Sequence, residues 1–388
     1  MTREYFETPT AATAPPRRRR APVRGIIVAL VVLVMGLGIA FGTGALTSTS
    51  VSGGGASAVP GPGSPPSGAP RVADASTIAA RVDPGVVDIN TNLGYQNARA
   101  AGTGIVLTAS GLVLTNNHVI AGATTIAVTD VGNGRRYGAN VVGYDRANDV
   151  ALLQLTGAAG LHTLAMGDSS ATRVGDSVVA IGNAGGVGGT PSVAQGTLAA
   201  IEQTITASDA VGGSSTRLTG LLETSTNIQP GDSGGPLVNS DGQVIGIDAA
   251  ASAGPTVQAA DSTQGYAIPI NQALTIARQI ATGHASSTIH IGPSAMLGLA
   301  SIPAVGLDGQ PVAGTAVVGV IPGGPADQAG LAAGAVILSV DGHPTSSPSA
   351  LGDLIDQHRP GDSVRVTWVD AGGRTHDTTV RLVAGPPA

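Results

Sequence analysis

One serine in this chain stands among glycines, between a turn and a strand-like run: Gln229-Pro230-Gly231-Asp232-Ser233-Gly234-Gly235-Pro236-Leu237. A serine hydroxyl is a weak nucleophile at neutral pH. It needs a base to take its proton and N–H donors to hold the oxyanion it creates. The flanking glycines let the backbone turn sharply and aim the N–H groups of Gly231 and Ser233 at one point. Of seven histidines, His118 is the best placed, closing the β-like run Val113-Leu114-Thr115-Asn116-Asn117-His118. His290, between Ile289 and Ile291, is its rival in an apolar context but lies well past the serine. Within Asp145-Arg146-Ala147-Asn148-Asp149-Val150-Ala151-Leu152, the second aspartate opens another strand. Taken in order, His118, Asp149 and Ser233 could perform acyl transfer. Ser233 Oγ would attack a carbonyl, His118 would take its proton and return it to the leaving group, and Asp149 would fix the imidazole tautomer. That chemistry calls for no metal and no cofactor.

The elements that must hold these groups read as β. Short runs such as Gly104-Ile105-Val106-Leu107, Leu112-Val113-Leu114, Ile126-Ala127-Val128 and Val178-Val179-Ala180-Ile181 are separated by turn residues at sandwich-or-barrel spacing. A helix follows near residue 271, with Asn271 as N-cap, Ala273, Ile276, Ala277 and Ile280 on one face, and Gly283 as its stop. It is expected to pack on the second β unit. The stretch Gly182-Asn183-Ala184-Gly185-Gly186-Val187-Gly188-Gly189-Thr190 lacks the G-K-[S/T] ending of a phosphate loop, and no helix pattern follows it. It reads as a loop near the serine. Gly231 to Gly235 also fits G-x-S-x-G, but Pro236 and the strand after it leave no room for the helix that an α/β-hydrolase elbow needs.

Three blocks together resemble the HtrA/DegP family of trypsin-like serine proteases: Thr115-Asn116-Asn117-His118-Val119, Asn148-Asp149-Val150-Ala151-Leu152 and Gly231-Asp232-Ser233-Gly234-Gly235-Pro236-Leu237-Val238-Asn239. Gly102-Thr103-Gly104 and Gly265-Tyr266-Ala267-Ile268-Pro269-Ile270 add to the likeness, which is closest to mycobacterial PepA-like exported members and covers roughly residues 75 to 386. The resemblance implies an all-β dominated fold, a chymotrypsin-like double β-barrel followed by a PDZ domain. The serine protease domain would span 74–286 and the PDZ domain 292–386. In the PDZ unit, Val320 to Leu331 and Gly334 to Gly342 look like the domain core, and Met296, Leu297, Gly298 and Leu299 resemble the loop that captures a peptide C-terminus. The implied function is an extracytoplasmic serine endopeptidase acting on unfolded or damaged polypeptides, with C-terminal peptides as PDZ ligands and a trimer as its assembly. The alternative is a proteolytically inactive PDZ-bearing scaffold or chaperone.

The N-terminus is organised differently. Residues 1–24 form a polar tail ending in Arg17-Arg18-Arg19-Arg20 and Arg24; 25–46 are uncharged, and 47–73 are rich in Ser, Gly and Pro. A span of about 22 apolar residues crosses a membrane as a helix, and the preceding arginines keep the N-terminus in the cytoplasm. The chain thus reads as a cytoplasmic tail, a single transmembrane anchor, a linker and two extracytoplasmic domains, the alternative being a signal peptide cut after Ala56-Ser57-Ala58. With 388 residues it is long enough for them, and without cysteine it needs no disulfide. A net charge of −6 without acidic blocks gives no reason to expect a nucleic-acid partner.

Two departures from the family carry expectations of their own. Position 232 is Asp where the family commonly has Asn, and a carboxylate there needs a cation or several N–H donors, with Arg173 or Arg217 as candidates. Position 335 is Ala where the family usually has Asp. The substrate pocket is expected from Asn227, Ile228, Ala250, Ala251 and Ser252, which offer no carboxylate and suit small or medium aliphatic side chains.

Overall fold

The computed structural model describes residues 74–208, 215–249, 264–306 and 309–387. The tail, the anchor and the linker (residues 1–73) lie outside them, as do Ala250, Ala251 and Ser252. Among the described residues no helix is long and apolar enough to cross a membrane.

After helix α1 (Ala75–Val82) come strands β1 (Val86–Leu93), β2 (Ala98–Val106) and β3 (Leu112–Thr115), a short helix α2 (Asn117–Ile120), then β4 (Thr125–Asp130), β5 (Arg136–Asp145) and β6 (Val150–Leu155). They pair antiparallel in the order β5-β4-β1-β2-β3-β6, and β5 pairs with β6 to close a barrel. Alternation along the strands sends Val87, Ile89, Val106, Val113, Val128 and Leu153 into its buried interior.

The second barrel is closed in the order β10-β11-β12-β9-β8-β7. Its strands are β7 (Ser177–Gly182), β8 (Ser192–Ser208), β9 (Ser215–Thr224), β10 (Pro236–Asn239), β11 (Val244–Ala249) and β12 (Gly265–Pro269). A third buried cluster joins the barrels, with Val86, Ile105, Leu114 and Leu152 meeting Ile181, Val238 and Ile247.

Helix α3 (Ile270–Ala281) corrects the sequence reading in two respects. It starts at Ile270 with Pro269 at its cap, because β12 runs straight into it and proline's fixed φ suits a helix entry. Asn271 caps nothing; its Nδ2 donates to Asp168 Oδ1 at 2.7 Å. Its buried face is Ile270, Ala273, Ile276, Ala277 and Ile280, and it packs on both barrels, with Val150 and Leu152 as well as Val244, Ile247 and Ile268.

Strand β13 (Ile289–Ile291) extends the first barrel along β5, and there His290 stacks on Tyr144 at 5.1 Å between ring centroids. The second unit follows with β14 (Ser294–Met296), β15 (Leu299–Val305), β16 (Pro311–Val320), α4 (Pro325–Gln328), β17 (Val336–Val340), β18 (His343–Pro344), α5 (Pro348–Asp356), β19 (Ser363–Val369), β20 (Thr375–Arg381) and β21 (Val383–Gly385). Its main sheet runs β15-β16-β17-β19-β20 over a core that includes Val317, Ile337, Leu351, Val366 and Trp368. Ala335 is buried, and the backbone closes its turn without a carboxylate: Val317 N–H donates to Ala335 O at 2.8 Å and Ala335 N–H to Ala332 O at 3.1 Å.

The two units touch directly. Tyr144 Oη donates to Asp356 Oδ1 at 2.6 Å, Arg146 pairs with Asp353 at 3.0 Å, and Gly122 N–H donates to Pro387 O at 2.7 Å.

Candidate active site

Helix α2, which follows β3 after one residue, carries His118, and the turn between β5 and β6 carries Asp149. Strands β3 and β6 are hydrogen-bonded neighbours, so pairing of Thr115 with Ala151 brings the helix and the turn together. Asp149 is buried and holds His118 at two points. The backbone N–H of His118 donates to Oδ1 at 2.9 Å, and its ring Nδ1 lies 2.7 Å from Oδ2. An ionised carboxylate only accepts, so it keeps the imidazole proton on Nδ1 and leaves the Nε2 lone pair outward. Asn116, fully buried, donates from Nδ2 to Asp149 O at 2.9 Å and fixes the acid's backbone, whose φ of 54° lies in the left-handed region. Asp145, four residues earlier, accepts from Asn148 N, Asn148 Nδ2 and Thr288 Oγ1, and so closes the 145–148 turn.

Ser233 sits on the turn before β10 and is buried. Thr103 of β2 fastens that turn to the first barrel. Its N–H donates to Ser233 O at 2.7 Å, its Oγ1 donates to Gly231 O at 2.7 Å, and the same oxygen accepts from Asn183 N–H at 2.9 Å. Gly102 beside it has no room for a side chain: a Cβ there would meet Val119 of the His118 helix at 2.6 Å and Ser233 O at 3.1 Å. The histidine helix and the serine turn therefore flank the same two residues of β2.

The glycine-rich loop 182–190 backs the turn. Gly185 N–H donates to Pro230 O at 2.8 Å, and a Cβ on Gly231 would lie 2.2 Å from Asn183 O. Asp88 pairs across the strands with Thr103, so their side chains share one face. Asp88 receives the Gly189 N–H while Thr103 receives that of Asn183, which pins the loop at both ends. Burial raises the pKa of Asp88, and the Gly189 N–H opposes the rise.

Comparison with known proteins follows the same lines. Residues 102–247 match a trypsin-like peptidase domain and 317–370 a PDZ domain. The serine protease PepD of Mycobacterium tuberculosis (strain ATCC 25618 / H37Rv) is 34% identical over 347 residues, covering 82% of this chain and 70% of PepD. This chain belongs to the HtrA-type serine proteases. The putative serine protease HhoA of Synechocystis sp. (strain ATCC 27184 / PCC 6803 / Kazusa) is 35% identical over 66% of this chain, which spans 64% of HhoA. A solved structure of HtrA-type protease AlgW with decapeptide matches at 27% identity over 81% of this chain and 100% of that chain, with a TM-score of 0.45.

In this HtrA-type protease the partner of Asp232 is not an arginine. Its Oδ1 accepts from Ser192 Oγ at 2.6 Å and its Oδ2 from Gln229 N–H at 2.9 Å, so two uncharged donors satisfy it inside the fold. The carboxylate thereby ties the turn before Ser233 to the start of β8. Asp248 of β11 is fully buried. Burial first, and the Asp232 carboxylate second, push its pKa well above the usual carboxylate range, against a smaller opposing effect of the Ile181 backbone.

A folded chain that holds a proton which the unfolded chain has lost becomes less stable as pH rises from about 4 towards the folded-state pKa. Below about 4 both states are protonated and there is no penalty. Asp248→Asn is therefore expected to raise the Tm at pH 8, with the gain shrinking as pH falls to about 4. A variant less stable than the parent at pH 8 would contradict this, and calorimetry at the two pH values decides it.

Of the pocket residues, Asn227 is exposed, while Ile228 leans on Gly265 and the core of the second barrel. In the PDZ unit, Met296 ends β14, Leu297 is buried, Gly298 takes φ 77° and Leu299 opens β15. The carbonyls of Leu297 and Gly298 accept from Ala326 N–H and Ile321 N–H at 2.8 and 2.9 Å. Strand β15 is the outer strand of its sheet, and α5 packs beside it.

Proposed function

We propose that His118, Asp149 and Ser233 form the catalytic triad of a membrane-anchored, extracytoplasmic endopeptidase for unfolded polypeptides. The observation that carries this reading is the two-point hold of Asp149 on the backbone and ring of His118, beside a Ser233 turn that Thr103 fastens in place. With its proton kept on Nδ1, His118 takes the Ser233 proton at Nε2 as Oγ attacks the scissile carbonyl. The N–H groups of Gly231 and Ser233 receive the oxyanion. The imidazolium then gives the proton to the leaving amine, and water repeats the cycle on the acyl-enzyme. A substrate C-terminus enters as an added strand on the outer edge of β15, its carboxylate against the amides of Met296 to Leu299. The assembly we propose is a trimer, as the resemblance implies.

Labelling by a fluorophosphonate tests the reading: the parent chain reacts and Ser233→Ala does not. Equal labelling of both, or of neither, leaves the inactive scaffold as the better account. The anchor is tested separately, by sequencing the N-terminus of protein isolated from cells. Retention of Arg17 to Arg20 supports it, and a soluble form beginning near Val59 as the main species overturns it.

A further inference from the structure

A cleft of 570 Å³ lies where the first barrel meets the PDZ unit. Arg146, Arg217 and the segment 285–291 form one side, and α5 with the turn after it, as far as Arg359, forms the other. Nearly every charged group in its walls is already engaged. Asp353 pairs with Arg146 at 3.0 Å. Asp356 accepts from Tyr144 Oη at 2.6 Å and faces His290 Nδ1 at 3.6 Å. His358 lies 3.4 Å from Asp341 and 4.0 Å from Asp362.

Two charges are left over. Arg217, on β9, and Arg359, after α5, are exposed and make no ion pair among the described residues. One belongs to the protease domain and the other to the PDZ unit. The hydroxyls beside them are engaged within the wall: Ser286 Oγ accepts the N–H groups of Thr288 and Ile289 at 3.2 and 3.0 Å and donates to Thr288 Oγ1 at 3.4 Å. The Thr288 hydroxyl is spent on Asp145 at 3.0 Å.

Two guanidinium forks ask for an acceptor with several oxygens and about two negative charges, which is the chemistry of a phosphate rather than of a single carboxylate. The net charge of the whole chain is −6, so attraction for such an anion comes from this concave spot and not from the protein at large. The volume falls within the roughly 300–1,000 Å³ of small-ligand sites. We propose that this cleft binds a small phosphate-bearing anion between Arg217 and Arg359. Its occupancy would join the protease domain to the PDZ unit. Thr288 in the same wall holds Asp145 and with it the turn that leads into Asp149.

The test is titration of the full chain with sodium pyrophosphate by isothermal calorimetry, which reads binding and not proteolysis. One pyrophosphate per chain is expected. Arg217→Gln and Arg359→Gln should each weaken binding about tenfold, the double variant should abolish it, and Arg173→Gln should leave it unchanged. Unaltered melting temperatures in the variants show that the fold is retained. Absence of binding at millimolar pyrophosphate, or undiminished binding in the double variant, overturns the proposal. Short-chain phosphatidic acid in competition separates the sources. Tighter binding than pyrophosphate assigns the phosphate to a lipid headgroup, and weaker binding assigns it to a soluble ester.

Discussion

Ser233→Ala and His118→Ala are each expected to lower kcat for peptide hydrolysis by about 10⁶-fold, and the double variant by hardly more. The effects overlap because the nucleophile and the base act in one step: an alkoxide without its base, or a base without its alkoxide, accomplishes equally little. Asp149→Asn should lose about 10⁴-fold, because an amide at that position can donate to Nδ1 and turn the imidazole to the wrong tautomer. Asp145→Asn separates the two acids. Asp145 accepts three hydrogen bonds within its own turn and from Thr288, so its loss should appear mainly in thermal stability, with kcat within about tenfold of the parent. Steady-state kinetics with an unfolded protein substrate decides the matter. A larger kcat loss in Asp145→Asn than in Asp149→Asn would assign the acid to Asp145.

The three chemical groups were legible because each sits in a short contiguous block whose local pattern needs no tertiary knowledge. His118 ends an apolar run, Asp149 opens one, and Ser233 lies among glycines before Pro236. The barrels were legible for a related reason, since period-two alternation and turn residues mark strands locally. What stayed hidden depends on register between distant strands. Thr103 reaches Gly231 across 128 residues, and nothing in Gly102-Thr103-Gly104 announces that its hydroxyl serves two loops at once. Asp232 called for a cation or several N–H donors, because a buried carboxylate is costly unless compensated, and Arg173 and Arg217 were the cations on offer. The fold supplies Ser192 and a backbone N–H instead, and pairing of Gly182 with Ser192 in the second barrel brings that hydroxyl within reach. Asn271 failed as a cap for a similar reason. Cap propensity is local, whereas Asp168 competes for the side chain from 103 residues away.

Gly231→Ala is expected to lower kcat by about 10²- to 10³-fold, the size of effect that follows loss of an oxyanion-hole donor. Two constraints meet at this residue. Its φ of 103° lies where an L side chain is strained, at a cost of about 1–2 kcal/mol. Its Cβ would also stand 2.2 Å from Asn183 O, 2.9 Å from Gly186 N and 3.0 Å from Gly185 N, all of them backbone atoms of the loop behind. That loop cannot retreat easily, since Asp88 and Thr103 hold both its ends. The turn itself must move, and it carries the N–H of Gly231 away from the point where the oxyanion forms. Because a ground-state carbonyl needs those donors less than the tetrahedral intermediate does, KM should change little while kcat falls. Gly242→Ala provides the comparison. Its φ is 75° and the nearest atom, Val82 Cγ2, lies 3.7 Å from the added methyl, so it carries backbone strain without displacing anything near Ser233. Both variants should lose stability, and only Gly231→Ala should lose turnover. If Gly231→Ala keeps the parent's kcat, its N–H is not an oxyanion donor. If Gly242→Ala loses turnover equally, strain in the second barrel and not the oxyanion turn limits the reaction.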